Sequence, residues 1–480
     1  MLFSSVVFVC AFFPLFFALY YVMPSRTAKN ILLLVFSLIF YAWGKIVNLP
    51  LLIAAAFIGW AGGLAIDYFR RREMPVAVKT SLAVTVALLL GMLGAYKYLG
   101  FIAENINLLF GLDIAVPEIE LPIGISFFTF QILSYVIDVY RKDVAAQKNF
   151  YIVAVYLCAF PQLIAGPVVR YSTVETELTE REVSLDDVYA GVRRFIVGLA
   201  KKVLIANTVA TAADGIFSYD PASCGIVAAW IGALAYAVQI YFDFSGYSDM
   251  AIGMGRMMGF HYLENFDDPY TAVSVTDFWR RWHISMSTFF RDYLYIPLGG
   301  NRVSKPRWIT NIFVVWALTG LWHGAAWNFV LWGVYFGALL VLEKLFWGKA
   351  IEKIPVARNL YTLLTVTVGW VLFRSETLAD AMDRLYAMAG GYGLGTGKIN
   401  YTIILERSNV GGMFIIAMAA GVVLSAGLGK WAAQKIDGIT AAAKRSAVEC
   451  VGCVLSFGLL LLSVASVASG AYNPFIYFQF

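Results

Sequence analysis

Histidine is scarce in this chain, and its positions are the first candidates for chemistry. The 480 residues contain His261, His283 and His323 and no other histidine. His323 lies in WALTGLWHGAAWNFVLWG, within residues 308–341, where no Asp, Glu, Lys or Arg occurs. An ionisable side chain in such apolar surroundings is costly, and it is functional by default. A neutral imidazole is also a general base near neutral pH, which makes His323 the leading catalytic candidate; the alternative is a hydrogen-bonded packing histidine.

The residues beside His323 predict an irregular backbone. Gly320 and Gly324 flank the histidine, and Trp322 and Trp327 crowd it. Membrane proteins tolerate a broken helix where it is buried in protein or lines a cavity. We therefore expect a close approach of helices or a local helix break at His323.

His283 lies in a basic and aromatic segment, DFWRRWHISMSTFFRDYLYIPLGGNR. Guanidinium groups pair well with phosphates, so the segment is a candidate surface for a phosphorylated cytoplasmic donor. The predicted donor-binding residues are Arg280, Arg281, Arg302 and Arg307. The alternative is an amphipathic helix resting on anionic lipid, with His283 at the interface. His261, in a loop rich in acidic residues, is assigned no chemistry.

The chain ends in NPFIYFQF, residues 473–480, an aromatic tail without a charged side chain. Pro474 cannot continue a helix, so the tail should turn away from the last span near Ala471. We expect it to fold back, with Phe475 and Phe480 as anchors and Tyr477 facing His323. The alternative is a belt of aromatic residues at the membrane surface.

Two carboxylates in YFDFSGYSDMAIGMG, Asp243 and Asp249, closely follow a long apolar run. Charges so near lipid need partners, and the arginines of residues 280–291 are the predicted ones. A helix cap with a structural ion pair is the simplest role for this motif.

The composition is that of a membrane protein. Hydrophobic residues make up 60% of the chain and charged residues 14%, and the formal net charge is +5. Apolar runs recur along the whole length, and only helices satisfy their backbone in lipid when a chain spans it as single segments. We predict an all-α polytopic bundle of roughly 10–12 transmembrane helices, forming one domain over residues 1–480. The charge does not indicate a nucleic-acid partner, since it is spread among membrane loops.

Basic loops predict the orientation, because positive residues in short loops stay in the cytoplasm. The loops after the predicted first, third and fifth helices are basic, and Lys430, Lys435, Lys444 and Arg445 mark a later one. Residues 98–120 contain no Lys or Arg. The N-terminus and the C-terminal tail are therefore predicted to be extracytoplasmic. Residues 170–194 mix acidic and basic side chains and are predicted to lie on the surface rather than to span.

The motifs together resemble the membrane-bound O-acyltransferase family, in its bacterial alginate O-acetyltransferase branch. YFDFSGYSDMAIGMGRMMGF, the His283 segment and LTGLWHGAAWNFVLWG carry the resemblance, with PQLIAGPVVRY and the N-terminal segment in support. It implies a helical bundle around a central funnel, with His323 catalytic and His283 on the cytoplasmic approach. It also implies a bacterial inner membrane, acetyl-coenzyme A as donor, no metal or permanently bound cofactor, and an extracytoplasmic partner acetyltransferase acting on a polysaccharide.

The tail has its own resemblance. Systems that D-alanylate teichoic acids carry a tail of the form Phe-x-Tyr-x-x-Phe on a separate small protein, where the tyrosine resembles an acyl relay. Phe475, Tyr477 and Phe480 have this spacing. The resemblance thus adds Tyr477 to the catalytic candidates.

The leading functional prediction is O-acetylation of an exported polysaccharide such as alginate. Peptidoglycan or cellulose acetylation would use the same chemistry. Two alternatives are not enzymatic. A transporter would use His323 as a proton relay, and a membrane scaffold would dock subunits of an export complex.

Overall fold

The computed structural model describes residues 1–117, 119–164, 166–351, 353–396, 400–438, 442–470 and 472–476. Tyr477 and Phe480 of the predicted tail lie outside the described residues. All regular structure in the described residues is helical, without a strand. The all-α prediction is confirmed.

The structure is also polytopic. The described residues contain eight helices that are long and apolar enough to cross a membrane: Ile46–Arg71, Pro75–Lys97, Leu185–Phe217, Pro221–Met257, Trp327–Trp347, Pro355–Arg374, Gly412–Ile436 and Ser446–Ala468. Phe8–Val22 and Leu99–Phe110 are shorter apolar helices. The full-length spans are fewer than the roughly 10–12 predicted from apolar runs. One reason is that breaks divide some runs, as at Ala159, between the helices Phe150–Cys158 and Phe160–Leu163.

The helix Leu185–Phe217 is a candidate span that the apolar runs did not predict. Its apolar stretch follows Arg194 and so lies outside residues 170–194, whose predicted surface position stays a prediction. Lys201 and Lys202 interrupt the apolar pattern in its middle, which hid the span. These residues begin a π-helical turn, Lys201–Ala206, and Lys202 is buried.

The chain forms two compact units, and the first comprises Met1–Phe195 and Met250–Leu263. Its helices are Phe13–Val22, Arg26–Ala42, Leu49–Arg71, Pro75–Lys97, Leu99–Phe110, Ile125–Arg141, Phe150–Cys158, Phe160–Leu163 and Tyr171–Glu180, with parts of Leu185–Ala200 and Pro221–Met257. Buried phenylalanines near the N-terminus pack edge-to-face against Phe160, whose ring centroid is 5.1 Å from that of Phe16. His261 lies exposed in this unit, with Nδ1 2.8 Å from Glu177 Oε1.

The second unit comprises Ile196–Asp249 and Glu264–Phe480. Besides parts of the two shared helices it contains Asn207–Phe217, Val275–Arg281, Ile284–Phe290, Lys305–His323, Trp327–Leu342, Gly348–Ile351, Pro355–Arg374, Leu378–Met388, Tyr401–Arg407, Gly412–Val423, Gly429–Asp437 and Ala442–Ala468. Aromatic side chains dominate its core, including Trp279, Trp282, Trp332, Trp370 and Phe373. His283, His323 and the described part of the tail all belong to this unit.

Candidate functional site

His323 is the last residue of the helix Lys305–His323. The next residue, Gly324, is extended, with φ −159°, and a new helix begins at Trp327. The predicted break at the histidine is confirmed. The two helices meet closely because glycines face backbone: a Cβ on Gly320 would lie 2.1 Å from the carbonyl oxygen of Phe329. Small residues allow this approach of helices in membranes.

The imidazole of His323 lies in an aromatic pocket and is only 5% exposed. Its ring centroid is 4.8 Å from Trp322, 5.1 Å from Trp332 and 5.2 Å from Phe373. All three contacts are edge-to-face. Such surroundings exclude water, which protects a reactive acyl group from hydrolysis. A base held here would act on a bound hydroxyl rather than on solvent.

His283 is fully buried, so the prediction of an interfacial histidine is wrong. Its backbone is left-handed, with φ +46°, at the start of the helix Ile284–Phe290. This turn directs the ring inward, where Nδ1 lies 3.1 Å from Asn265 Oδ1. Asn265 in turn donates through Nδ2 to Ser248 Oγ at 3.0 Å. Sequence reasoning gave no signal for Asn265.

The protonation state of His283 follows from these contacts. Asn265 Oδ1 only accepts, so Nδ1 of His283 donates to it and Nε2 carries the lone pair. Burial lowers the pKa of His283 to about 3, which keeps the ring neutral near pH 7. The Trp322 ring is a neighbour of both histidines, with its centroid 6.2 Å from that of His283 and 4.8 Å from that of His323.

A cavity of about 330 Å³ opens beside the helix that carries His323. Aromatic and aliphatic side chains line most of it, together with the cations Arg280, Arg291 and Lys344. Thr319 also lines the cavity and precedes His323 by one helical turn, a rise of about 6 Å. Cations on apolar walls suit a ligand that carries both a phosphate group and an apolar chain.

Of the four predicted donor-binding arginines, one lines the cavity and three do not. Arg280 lines the cavity. Arg281 pairs with Asp277, Nε to Oδ1 at 3.0 Å, and Arg302 and Arg307 are exposed and do not line the cavity. Lys344 was missed, although it directly follows the long apolar run in which His323 lies.

The carboxylate of Glu343 holds the helix that places Arg280 at the wall of the cavity. Its buried carboxylate accepts from the backbone N–H of Val275 at 2.6 Å and of Thr276 at 3.1 Å. These groups start the helix Val275–Arg281, whose dipole favours a carboxylate at that end. Glu343 thus fixes the helix that presents Arg280. The residue after Glu343, Lys344, lines the same cavity.

Asp243 and Asp249 do not pair with the predicted arginines. Lys202 Nζ lies 2.6 Å from Asp243 Oδ1, and Lys201 Nζ lies 2.7 Å from Asp249 Oδ2. The prediction failed because the two lysines lie on a helix that sequence reasoning did not identify as a span.

The described part of the tail folds against the second unit. The last helix ends at Ala468, and Phe475 and Ile476 are each 5% exposed. The Phe475 ring packs on Tyr247, with centroids 4.6 Å apart. Ile476 belongs to the buried cluster that includes Trp332 and Phe373, the neighbours of His323. Tyr477 and Phe480 lie beyond the described residues, so the predicted approach of Tyr477 to His323 stays a prediction.

Among the described residues, no group of three or more His, Cys, Asp or Glu side chains could hold a metal ion.

Known proteins give a consistent comparison. A family model described as MBOAT, membrane-bound O-acyltransferase family, matches residues 145–373. The chain is 40% identical over 511 aligned residues to a probable alginate O-acetylase AlgI of Azotobacter vinelandii, covering 100% of both chains. It is 34% identical to a peptidoglycan O-acetyltransferase of Helicobacter pylori, over 81% of this chain and 80% of that one. A teichoic acid D-alanyltransferase of Bacillus subtilis is 27% identical over 52% of this chain and 67% of its own length.

Proposed function

This chain belongs to the membrane-bound O-acyltransferase family, and from that premise we propose that it moves an acetyl group from cytoplasmic acetyl-coenzyme A to an exported polysaccharide. The observation that carries the proposal is the placement of His323. It ends a broken helix in a dry aromatic pocket, one turn beyond a residue that lines a basic cavity.

The cavity is the proposed donor site. Arg280 and Lys344 would hold the phosphates of the coenzyme, beside Arg291, whose guanidinium pairs with Asp292 at 2.7 Å, and the apolar wall towards Thr319 would guide the thioester arm to His323. Arg281 supports the helix from its pair with Asp277. Exposed Arg302 and Arg307 contribute long-range attraction for an anionic donor.

His323 acts as general base in the proposed chemistry. A hydroxyl attacks the thioester carbonyl, its proton passes to the imidazole as the C–O bond forms, and the C–S bond breaks. The coenzyme thiolate then takes the proton from the imidazolium, which restores the neutral ring. His283, a second catalytic candidate, stays neutral through its burial and orients the site through its contact with Asn265 and its place beside Trp322.

Tyr477 is the proposed first acceptor. Its phenol would receive the acetyl group, and a hydroxyl of the polysaccharide would then displace the phenol with the help of an extracytoplasmic partner protein. A phenol leaves more readily than an alkyl alcohol, so an acetyl-tyrosine is a competent relay. Burial of Phe475 and Ile476 supports this assignment, because it holds the tail against the second unit, with Ile476 in the same core cluster as Trp332 and Phe373.

The proposed location is the bacterial inner membrane, with both termini extracytoplasmic, as the basic loops indicate. Alginate is the favoured acceptor because an alginate O-acetylase is similar over the full length of the chain. Peptidoglycan is the second candidate, since the similarity to a peptidoglycan O-acetyltransferase extends over most of both chains.

The function is tested with vesicles that contain the purified protein and isotopically labelled acetyl-coenzyme A on the basic-loop side. Partner protein and either alginate or peptidoglycan fragments are added outside. We expect label on the alginate in ester linkage. Donor turnover without label on any glycan would contradict the proposal.

A further inference from the structure

A buried ion pair in the second unit holds the backbone of the C-terminal tail. Lys202 and Asp243 lie on two different helices and are each 1% exposed. The helices meet closely here, since a Cβ on Gly246 would lie 2.7 Å from the carbonyl oxygen of Gly198. This approach brings the ammonium and the carboxylate face to face, 2.6 Å apart.

The pair also bonds to the main chain of the tail. Lys202 Nζ donates to the carbonyl oxygen of Pro474. Asp243 Oδ2 accepts from the N–H of Ile476 at 3.0 Å. One acceptor and one donor of the tail, two residues apart, are thus bound by one ion pair. These bonds hold the backbone of the tail, and the side-chain contacts of Asn473 with Asn207 and of Phe475 with Tyr247 decide which residues lie at the ion pair.

Further contacts follow the same helix. Asn207 Nδ2 donates to Asn473 Oδ1 at 3.1 Å, and the hydroxyl of Tyr472 donates to Asp214 Oδ2 at 2.9 Å. Asn207 and Asp214 are seven residues apart, which places them on one face of an α-helix. The π-helical turn Lys201–Ala206 contains Lys202 and rotates less per residue than an α-helical turn, which brings Lys202 towards that face. The tail therefore follows a row of polar groups.

A buried ion pair is favourable only when its remaining hydrogen-bonding capacity is satisfied. Here the tail supplies both extra bonds. Lys201 and Asp249 join the same two helices 2.7 Å apart, in a more exposed position. The buried pair differs from this neighbour because it also bonds to the backbone of the tail at Pro474 and Ile476.

We infer that Lys202 and Asp243 are positioning residues that hold residues 474–476 of the C-terminal tail against the second unit, and that the proposed acyl transfer requires this attachment. The inference rests on the proposed function for its catalytic consequence. The binding of the tail itself does not depend on it.

The test compares two double variants of the full-length protein. The double variant Lys202→Met with Asp243→Asn, called the clamp variant, removes the buried ion pair without leaving a lone buried charge. Lys201→Met with Asp249→Asn removes the neighbouring pair of the same chemistry and is the matched control. A third variant, Ile476→Pro, removes the N–H that Asp243 accepts and changes neither helix.

The first readout is digestion with carboxypeptidase A, followed by mass spectrometry. The wild type and the control should keep Phe475 and Ile476, since both are buried. The clamp variant should expose the tail and lose Ile476 roughly tenfold faster or more, whereas Ile476→Pro, whose proline blocks the peptidase, is followed by glycan acetylation alone. A tail equally resistant in the clamp variant overturns the inference, whatever the activity.

The second readout is acetylation of the glycan. The clamp variant should lose roughly tenfold or more in kcat while the KM for the donor stays near the wild-type value. A released tail with normal kcat overturns the positioning role. If Tyr477→Phe is fully active while the clamp variant is not, the tyrosine relay fails and the positioning of the tail stands.

Discussion

The basic cavity leads to a quantitative prediction about donor binding. Arg280→Gln and Lys344→Met each remove one cation from its wall. A hydrogen bond to a charged group is worth about 1.5–3 kcal/mol, so each change should raise the KM for acetyl-coenzyme A by roughly ten- to a hundredfold. The kcat should change little, because neither side chain reaches the reacting carbonyl. Lys344 also lies 4.8 Å from the centre of the Trp308 ring, which restricts where its ammonium can move.

Variants of two exposed arginines are the controls for the cavity variants. Arg302→Gln and Arg307→Gln remove the same charge outside the cavity and should raise KM by less than roughly threefold, an effect that salt screens. The assay is donor turnover at low and at about 0.5 M salt. Equal effects inside and outside the cavity would refute the assignment, and so would an unchanged KM in the cavity variants.

Three other predictions follow from single contacts. Tyr477→Phe should lower glycan acetylation by roughly a hundredfold at normal expression, and a normal rate would leave the tail as an anchor only. Because burial lowers the pKa of His283 from 6.5 to about 3, the unfolded chain binds more protons between these values, and stability should fall as the pH falls from 6.5. His283→Gln should weaken this acid sensitivity in thermal unfolding at pH 5 and pH 7, and an identical dependence would contradict the buried neutral ring. Gly320→Ala should prevent normal folding, since its Cβ would lie 2.1 Å from the Phe329 carbonyl oxygen, and a well-folded variant would contradict that packing.

The break at His323 was predictable because it depends on local chemistry. Glycines beside an isolated histidine in an apolar helix indicate both close packing and irregular backbone, and the structure has both. The membrane-helix class was predictable for the same reason, since apolar length alone decides it.

The surroundings of His283 depend on distant residues and were not predictable. Its basic and aromatic neighbours suggested a surface position, whereas a left-handed turn and Asn265 bury the ring. The position of Lys202 in the sequence led to a wrong prediction for a similar reason. A lysine in an apolar run suggests an end of the span, but a carboxylate 41 positions later, Asp243, makes its burial favourable.

The position of the tail was predictable from the sequence, but the contacts that hold it were not. Its aromatic composition and Pro474 predicted that it would fold back, and burial of Phe475 agrees with this. The backbone bonds to Lys202 and Asp243 carry no sequence signature, because any residue has the same main-chain groups.

The most direct test of the central claim is the ester-linked acetate on the exported glycan of a strain that expresses His323→Ala. His261→Ala is the matched control, since this exposed histidine lies in the other unit beside Glu177. General-base catalysis by a histidine contributes roughly 10²–10⁴-fold, so acetate should fall to background in His323→Ala and stay at the wild-type amount in His261→Ala. Both variants should insert into the membrane in wild-type amounts. Near-normal acetate on the glycan of a well-expressed His323→Ala strain would contradict the catalytic role of this residue.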